Sequence, residues 1–239
     1  LHLIQSRFLS DISISSEEIK FSKESGFYDN EFDLTLSATN NSTIYYTTDG
    51  SDPTNSNSSK EYTEPIKIKD RTQEPNLYSA YEENEKSPTS ICIRQQYQKP
   101  PFNVEKGMVV RAVAKSSNGT SKIFQHTYFV TTDDLSKFRD YTIVSLVTNP
   151  ENLFDPNKGI YVTGNQFIEW TKKNGENYND WNYDCNYLMK GSEWEREAYI
   201  EIFEKGSLTI QENVGIRIKG GASRDYAQKS YYPITKILE

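Results

Sequence analysis

Of the 239 residues only two are cysteine, two are histidine and two are methionine. Cys92 and Cys185 fall in different halves of the chain, so they make neither a disulfide framework nor a metal-ligand spacing. Two free thiols or a single bridge between the halves are the readings left, and no metal site is expected. His2 and His126 lie far apart, and neither His-Glu-x-x-His nor Gly-x-x-x-x-Gly-Lys-Ser/Thr occurs. Zincin-type hydrolases and P-loop nucleotide hydrolases are thereby excluded, and a serine–histidine–acid triad cannot be argued from the sequence. Apolar residues are scarce too, at 35%, and mean hydropathy is −0.77. No run is long and apolar enough to cross a membrane. The opening residues 1–7 lack a charged leader followed by an apolar block and are not read as an intact signal peptide. Basic charge is also short. Residues 1–132 hold 14 basic and 17 acidic side chains, and residues 133–239 hold 13 and 17. A nucleic-acid-binding domain would be basic, so no nucleic-acid partner is expected.

Aromatic residues are abundant: 17 Tyr, 11 Phe and 3 Trp. Large rings can fill a core that aliphatic residues do not, so an ordered fold is expected rather than a disordered chain. In the first half, Phe32, Leu34, Leu36 and Ala38 alternate with polar residues, the period of a half-buried strand. Residues 43–48, 108–115 and 122–130 read as further strands, the last two joined through Asn118 and Gly119, a strong hairpin signal. No helix-period segment interrupts them. An N-terminal extension over 1–16 and an immunoglobulin-like β-sandwich over 17–131 are therefore expected. The Asn-x-Ser/Thr positions Asn40, Asn41, Asn57 and Asn118 read as loop residues. Asp49 and Asp52 could form a calcium or sugar loop, but turn chemistry alone accounts for both. Residues 70–101, charged and proline-rich, form an unusually long connection with a short strand around Cys92.

After residue 132 the pattern becomes mixed. Residues 141–147 are the most apolar run and predict a buried central strand. A helix is predicted over 166–173, ended by Asn174 and Gly175, with Phe167 and Trp170 on one face. Tyr178, Trp181, Tyr183 and Tyr187 offer either a platform for glycan or a loop that packs its rings, and packing is the favoured reading. Glu193, Glu195, Glu197 and Glu201 could supply acid–base chemistry, but a solvated strand face is the simpler expectation. Three strand-like runs follow at 199–203, 207–211 and 215–219, the first two separated by Gly206. The third stops at Gly220 and Gly221, where backbone can approach a ligand closely. Five basic residues (Arg217, Lys219, Arg224, Lys229, Lys236) accompany one acid, Asp225, over 215–236. Arg217 and Lys219 read as balancing the acidic strand. Lys229 is open between a phosphate contact and a surface residue.

Two resemblances rest on these residues. WERE at 194–197, IEIFE at 200–204, QENVGIRIKGGASR at 211–224 and QKSY at 228–231 together resemble the first part of the spore-coat protein H (CotH) kinase-like domain. The resemblance covers roughly 141–231. It implies an atypical protein kinase that moves a phosphoryl group from ATP, with magnesium, to a protein hydroxyl. On that basis Gly220, Gly221, Ser223, Arg224 and Lys229 would lie at the nucleotide. The family's catalytic and metal-binding acids belong to the later part of the domain, past residue 239. A truncated α+β kinase-like domain is thus expected over 132–239, inactive without those acids and holding no cofactor alone. YYTTDGSDPT at 45–54, with VVRAVAKSSNG at 109–119, resembles the immunoglobulin-like domain at the C-terminus of chitobiases. The overall expectation is a mainly β protein at a spore coat or on the cell surface. Its partner would be a protein substrate. The alternative is a non-catalytic spacer or glycan-binding module with Tyr178, Trp181 and Tyr183 on polysaccharide.

Overall fold

The computed structural model describes residues 17–80, 100–131, 135–175, 183–226 and 228–234. The 1–16 extension, Cys92, Tyr178, Trp181 and Lys236 lie outside the described residues. The first half is built from β1 (Ile19–Phe21), β2 (Gly26–Tyr28), β3 (Phe32–Leu34), β4 (Leu36–Ala38), β5 (Thr43–Thr47), β6 (Lys60–Glu61), β7 (Ile66–Ile68), β8 (Met108–Ser116), β9 (Gly119–Thr120) and β10 (Phe124–Val130). A six-stranded sheet runs β2-β10-β8-β5-β6, with β9 paired to β8. The ladders β1-β4 and β3-β7 cover one of its faces. Ile19, Leu34, Leu36, Ile68, Val110 and Tyr128 meet between them in one core. Among the described residues before 130, the helical segments are single 3-10 turns at Thr39–Asn41 and Tyr78–Ala80.

The alternating stretch 32–38 predicts one strand, and the structure makes two of it. The Thr35 amide donates to Ser22 Oγ, and the Ser22 amide donates to the Thr35 carbonyl. The chain therefore changes ladder at Thr35: β3 pairs with β7 and β4 with β1. Side-chain alternation survives the change, so Leu34 and Leu36 both stay in the core.

The second half contains β11 (Ile143–Val147), α1 (Pro150–Phe154), α2 (Gly164–Asn174), β12 (Arg196–Glu204), β13 (Ser207–Lys219) and β14 (Ser230–Ile234). Its sheet is antiparallel throughout, in the order β11-β12-β13-β14. Two sequence expectations need correction here. The apolar run at 141–147 forms an edge strand, not a central one. The runs at 207–211 and 215–219 are one thirteen-residue strand, β13, since the polar residues between them stay in the ladder with β12. Lys205 and Gly206 both take positive φ, which gives the two-residue turn a twist matching the hairpin it closes.

Why an edge strand should be so apolar follows from the packing. The sheet is covered in part on each face, while Val144 of β11 and Ile210 of β13 stay open to solvent. On one, Leu146, Ile200 and Ile202 pack with Phe167 of α2 and with Tyr187. On the other, β11 and β12 lie against the outer face of the sandwich sheet. There Thr127 Oγ1 and Ser145 Oγ are hydrogen-bonded at 2.8 Å. Phe203 is 0% exposed and meets Phe27 and Phe129 edge-on at 5.3 and 5.7 Å. Arg111 and Val113 of β8 are buried at this joint, while Val110, Ala112 and Ala114 face the sandwich core. Sheet on sheet, with side chains of both faces interdigitated, is a standard packing for twisted sheets. Among the described residues no helix is long and apolar enough to cross a membrane.

Candidate functional site

The far end of the second sheet gathers the glycine and basic residues picked out from the sequence. β13 ends at Lys219, and Gly220 follows with φ +122°. A Cβ there would collide with Ser223 Oγ, so only glycine lets the chain turn into the 3-10 segment Ala222–Asp225. At Gly221 an added Cβ would meet nothing within 4 Å, so this backbone lies open. Arg224 folds back over the turn. Its Nε donates to the Gly220 carbonyl at 2.7 Å, and its Nη1 donates to the carbonyls of Tyr187 and Met189 at 3.2 and 3.0 Å. Three carbonyls on two chain segments are thus tied together by one guanidinium, whose fixed fork suits that task.

Lys229 stands immediately before β14 and is only 6% exposed, which removes the surface-residue reading. Its ammonium sits 4.1 Å from the ring centroid of Tyr187 and 5.1 Å from that of Tyr161. It also donates to the Tyr226 carbonyl at 2.9 Å. Two π faces stabilise a cation that has lost much of its water, and they hold it in one place. Tyr161 is in turn stacked near Tyr231 at 6.2 Å and meets Phe154 at 6.0 Å, and Phe154 stacks on Tyr78 of the sandwich at 5.6 Å. A line of rings therefore runs from the first half of the chain to Lys229. Burial pushes the Tyr231 phenol well up, so it stays neutral beside the lysine. In the sequence Tyr187 reads only as a ring in an aromatic loop. Its part under Lys229 carries no local signal, because the two residues lie on separate elements.

The remaining candidates are placed as follows. Arg217 Nε lies 3.9 Å from Glu195 Oε2, and the Lys219 ammonium lies 5.5 Å from the Tyr232 ring, so both have partners on their own sheet. Tyr183 is half-buried and meets Phe167 edge-on at 6.1 Å, the packing reading of that loop. Asp49 Oδ1 accepts the Ser51 amide at 3.0 Å, and Asp52 Oδ1 accepts the Thr54 amide at 2.8 Å. These are self-contained Asx turns. Among the described residues no group of three or more His, Cys, Asp or Glu is placed to hold a metal. A groove of about 210 Å³ is lined by Lys106, Phe129, Phe138 and Ile143; it lies at the joint, away from Lys229.

The acidic set departs furthest from expectation. Glu197 keeps part of its surface open to solvent although burial against the joint pushes its carboxyl above the ordinary range, whereas Glu201 is 0% exposed and faces the sandwich, so it belongs to no solvated face. Its Oε1 is hydrogen-bonded to Ser25 Oγ, and the same hydroxyl is 2.8 Å from His126 Nδ1. The structure so brings a serine, a histidine and a carboxyl into contact. They do not form a hydrolytic triad: the acid and the imidazole both bond the serine, and Ser25, like Glu201, is buried. Burial pushes the Glu201 carboxyl above its ordinary range, against the hydrogen bonds from Ser25 and Thr127. Burial pushes His126 below its ordinary range, against the nearby Glu24 carboxylate.

Comparison with known proteins bears on the first half. Residues 33–128 match the family described as Fn3 associated. The matched span runs from β3 into β10 and so covers most of the sandwich, supporting an immunoglobulin- or fibronectin-like associated module there. No curated protein and no solved structure matches the chain.

Proposed function

We propose that the chain is part of a bacterial spore-coat or cell-surface protein in which a chitobiase-type immunoglobulin-like module buttresses the opening part of a kinase-like domain of the spore-coat protein H family. The observation that carries this reading is the burial of Lys229 over Tyr187 and Tyr161, beside the open backbone of Gly221. A compact ammonium held in one place, next to backbone that a ligand can approach, suits nucleotide phosphates. Lys229, the amides of Gly220 and Gly221, and Ser223 Oγ would meet the phosphates. Arg224 braces the turn that presents them. ATP, when bound with magnesium, supplies the phosphoryl group for a hydroxyl of a protein partner. By the resemblance, the magnesium would be held by acids of the later part of the domain.

The test is calorimetric titration of Mg·ATP into the full-length protein and its Lys229→Met variant. Methionine keeps the stem packed between the rings and removes the charge, whereas alanine would also leave a cavity. The expected result is affinity lower by about tenfold or more, the value of one charge-assisted contact, in a variant that stays folded but melts a few degrees lower, because the cation–π contacts and the bond to the Tyr226 carbonyl are lost. Equal affinity in the two proteins would remove Lys229 from any nucleotide site. Polysaccharide binding through Tyr178 and Trp181 rests on residues outside the described ones and gains nothing from the half-buried Tyr183.

A further inference from the structure

The joint between the two halves has apolar rings at one end and a line of buried polar groups beside them. Ser25, just before β2, sits where the edge of the sandwich sheet meets β12. Its hydroxyl reaches in two directions: to His126 Nδ1, which lies on the sandwich side, and to Glu201 Oε1 across the joint. The Thr127 amide donates to the same hydroxyl at 3.1 Å, and the Ser25 amide donates to His126 Nδ1 at 3.1 Å. These four contacts constrain where the protons are. Because Nδ1 accepts the Ser25 amide, it carries no proton, and the imidazole is the neutral Nε2–H form. With Nδ1 bare, the 2.8 Å contact to Ser25 Oγ is attractive only when the serine proton points at it rather than at Glu201, the single ring lone pair then being shared between the serine amide and hydroxyl. Ser25 Oγ then accepts from the Thr127 amide and has one lone pair left toward Glu201. That leaves the proton of the Ser25–Glu201 contact on the carboxyl.

We propose that Glu201, Ser25 and His126 form a proton-sharing pin between the two halves, in which an uncharged Glu201 donates to Ser25 and Ser25 donates to a neutral His126, so that charging either end loosens the joint. Several charged and titratable groups face the pin. Glu24, from the β1–β2 connection, lies 3.8 Å from Nδ1. Tyr128 of β10 flanks the imidazole at 6.2 Å, and Phe21 meets that ring edge-on at 4.5 Å. Tyr128 donates to the Lys23 carbonyl, and the Lys23 ammonium lies over the Tyr28 and Phe32 rings. Tyr199, two residues along the Glu201 strand, would feel any charge that formed there; Arg111 and Glu197 interact further along the joint. Among the described residues Glu201 Oε2 has no partner within ordinary hydrogen-bond distance, and the Thr127 hydroxyl and amide, which would favour a carboxylate, act against the burial that favours the neutral acid.

The sign of the pH effect follows for each end. Glu201, raised by burial, contributes stability that is complete below its ordinary 4.5 and is lost as pH rises through its folded value. His126, lowered by burial, contributes stability that is complete above its ordinary 6.5 and is lost as pH falls through its folded value. The two slopes oppose each other in the wild-type protein, so single substitutions are needed to separate them. Glu201→Gln keeps a donor to Ser25 and cannot ionise. His126→Asn keeps an acceptor near the position of Nδ1 and cannot be protonated.

Melting temperatures of the three proteins, measured from about pH 4 to about pH 9, test the pin. Relative to wild type, Glu201→Gln should gain at least about 2 °C as pH rises across that range, and His126→Asn should gain as pH falls below neutrality. A Glu201→Gln deficit that stays constant or grows with pH would overturn the proposal, because it would make Glu201 an ionised acceptor. Should a variant fail to fold, carbon NMR of the glutamate-labelled wild-type chain decides. One carboxyl carbon still at its protonated position at neutral pH, and still there in the Glu197→Gln chain, supports the pin; full ionisation of all of them, or loss of that signal with Glu197, refutes it.

Discussion

Truncating Phe203 separates two accounts of how the halves of this chain are related. Phe203 is fully buried, and its ring closes a cluster in which Phe27 stacks on Phe129 at 4.9 Å and on Phe138 at 5.0 Å. Phe203→Ala should cost about 3–5 kcal/mol, the usual range for a buried phenylalanine. For a protein of this size each kcal/mol moves the melting temperature by about 2–4 °C, so a fall of roughly 6–20 °C is expected. Phe167→Ala is the matched control: that ring is equally buried, against Trp170 and Tyr183, but lies on the side of the sheet away from the sandwich. All three tryptophans, Trp170, Trp181 and Trp194, belong to the second half, so their fluorescence follows that half while far-ultraviolet circular dichroism follows both. In urea, wild type and Phe167→Ala should give coincident transitions by the two probes. Phe203→Ala should give separated ones, because it weakens the joint itself. If Phe203→Ala lowers stability by less than about 1 kcal/mol, or keeps the probes coincident at the lower midpoint, the halves are not coupled through these rings.

Two further substitutions address the frame around Lys229. Asn186 is buried, donates to the carbonyls of Pro156 and Gly159 and accepts the Gln166 amide, so Asn186→Ala should lower stability by about 1–3 kcal/mol in urea titration. A loss within error would mean those groups find other partners. Gly220→Ala, at φ +122° and against Ser223 Oγ, should cost more than about 1 kcal/mol and weaken Mg·ATP binding in the full-length protein. Unchanged affinity would detach the turn from the nucleotide.

Much of the first half was readable in the sequence because its signals are local. Alternation at 108–115 and 122–130, with Asn118 and Gly119 between, corresponds closely to the observed β8–β10 hairpin region. Gly175 likewise marks the end of α2 through its own positive φ. The errors come from partners that lie far away in sequence. Residues 141–147 look central because apolar residues on both faces normally mean a buried strand. Here the sandwich, not a neighbouring strand, supplies the second cover. Glu201 looks solvated because its neighbours Glu195 and Glu197 are charged and evenly spaced, yet the same spacing points it at Ser25, 176 residues earlier. The lysine at 229 was legible as a basic residue beside two glycines. Its seat on Tyr187 and Tyr161 was not, since rings contribute no spacing pattern across separate elements.

The joint also bears on whether the sandwich can be a mere spacer. A spacer needs only a linker and a surface that water can cover. This one instead leaves Arg111 and Thr127 on the outer face of its main sheet and buries both, with Thr127 Oγ1 bonded to Ser145 across the joint. Arg111 donates to the Gly50 carbonyl at 2.7 Å and feels the charges of Asp52, Glu197 and Asp49, two of them in its own loops and one on β12. Burying such groups costs stability unless partners are in register, so the two sheets can dock well in few arrangements. The rings of Phe27, Phe129, Phe138 and Phe203 supply attraction with little preference for orientation; the polar groups beside them supply the preference. A second sheet held this firmly by the first has its outer strands, and with them the Tyr78–Phe154–Tyr161 line to Lys229, positioned by the sandwich rather than by the second half alone.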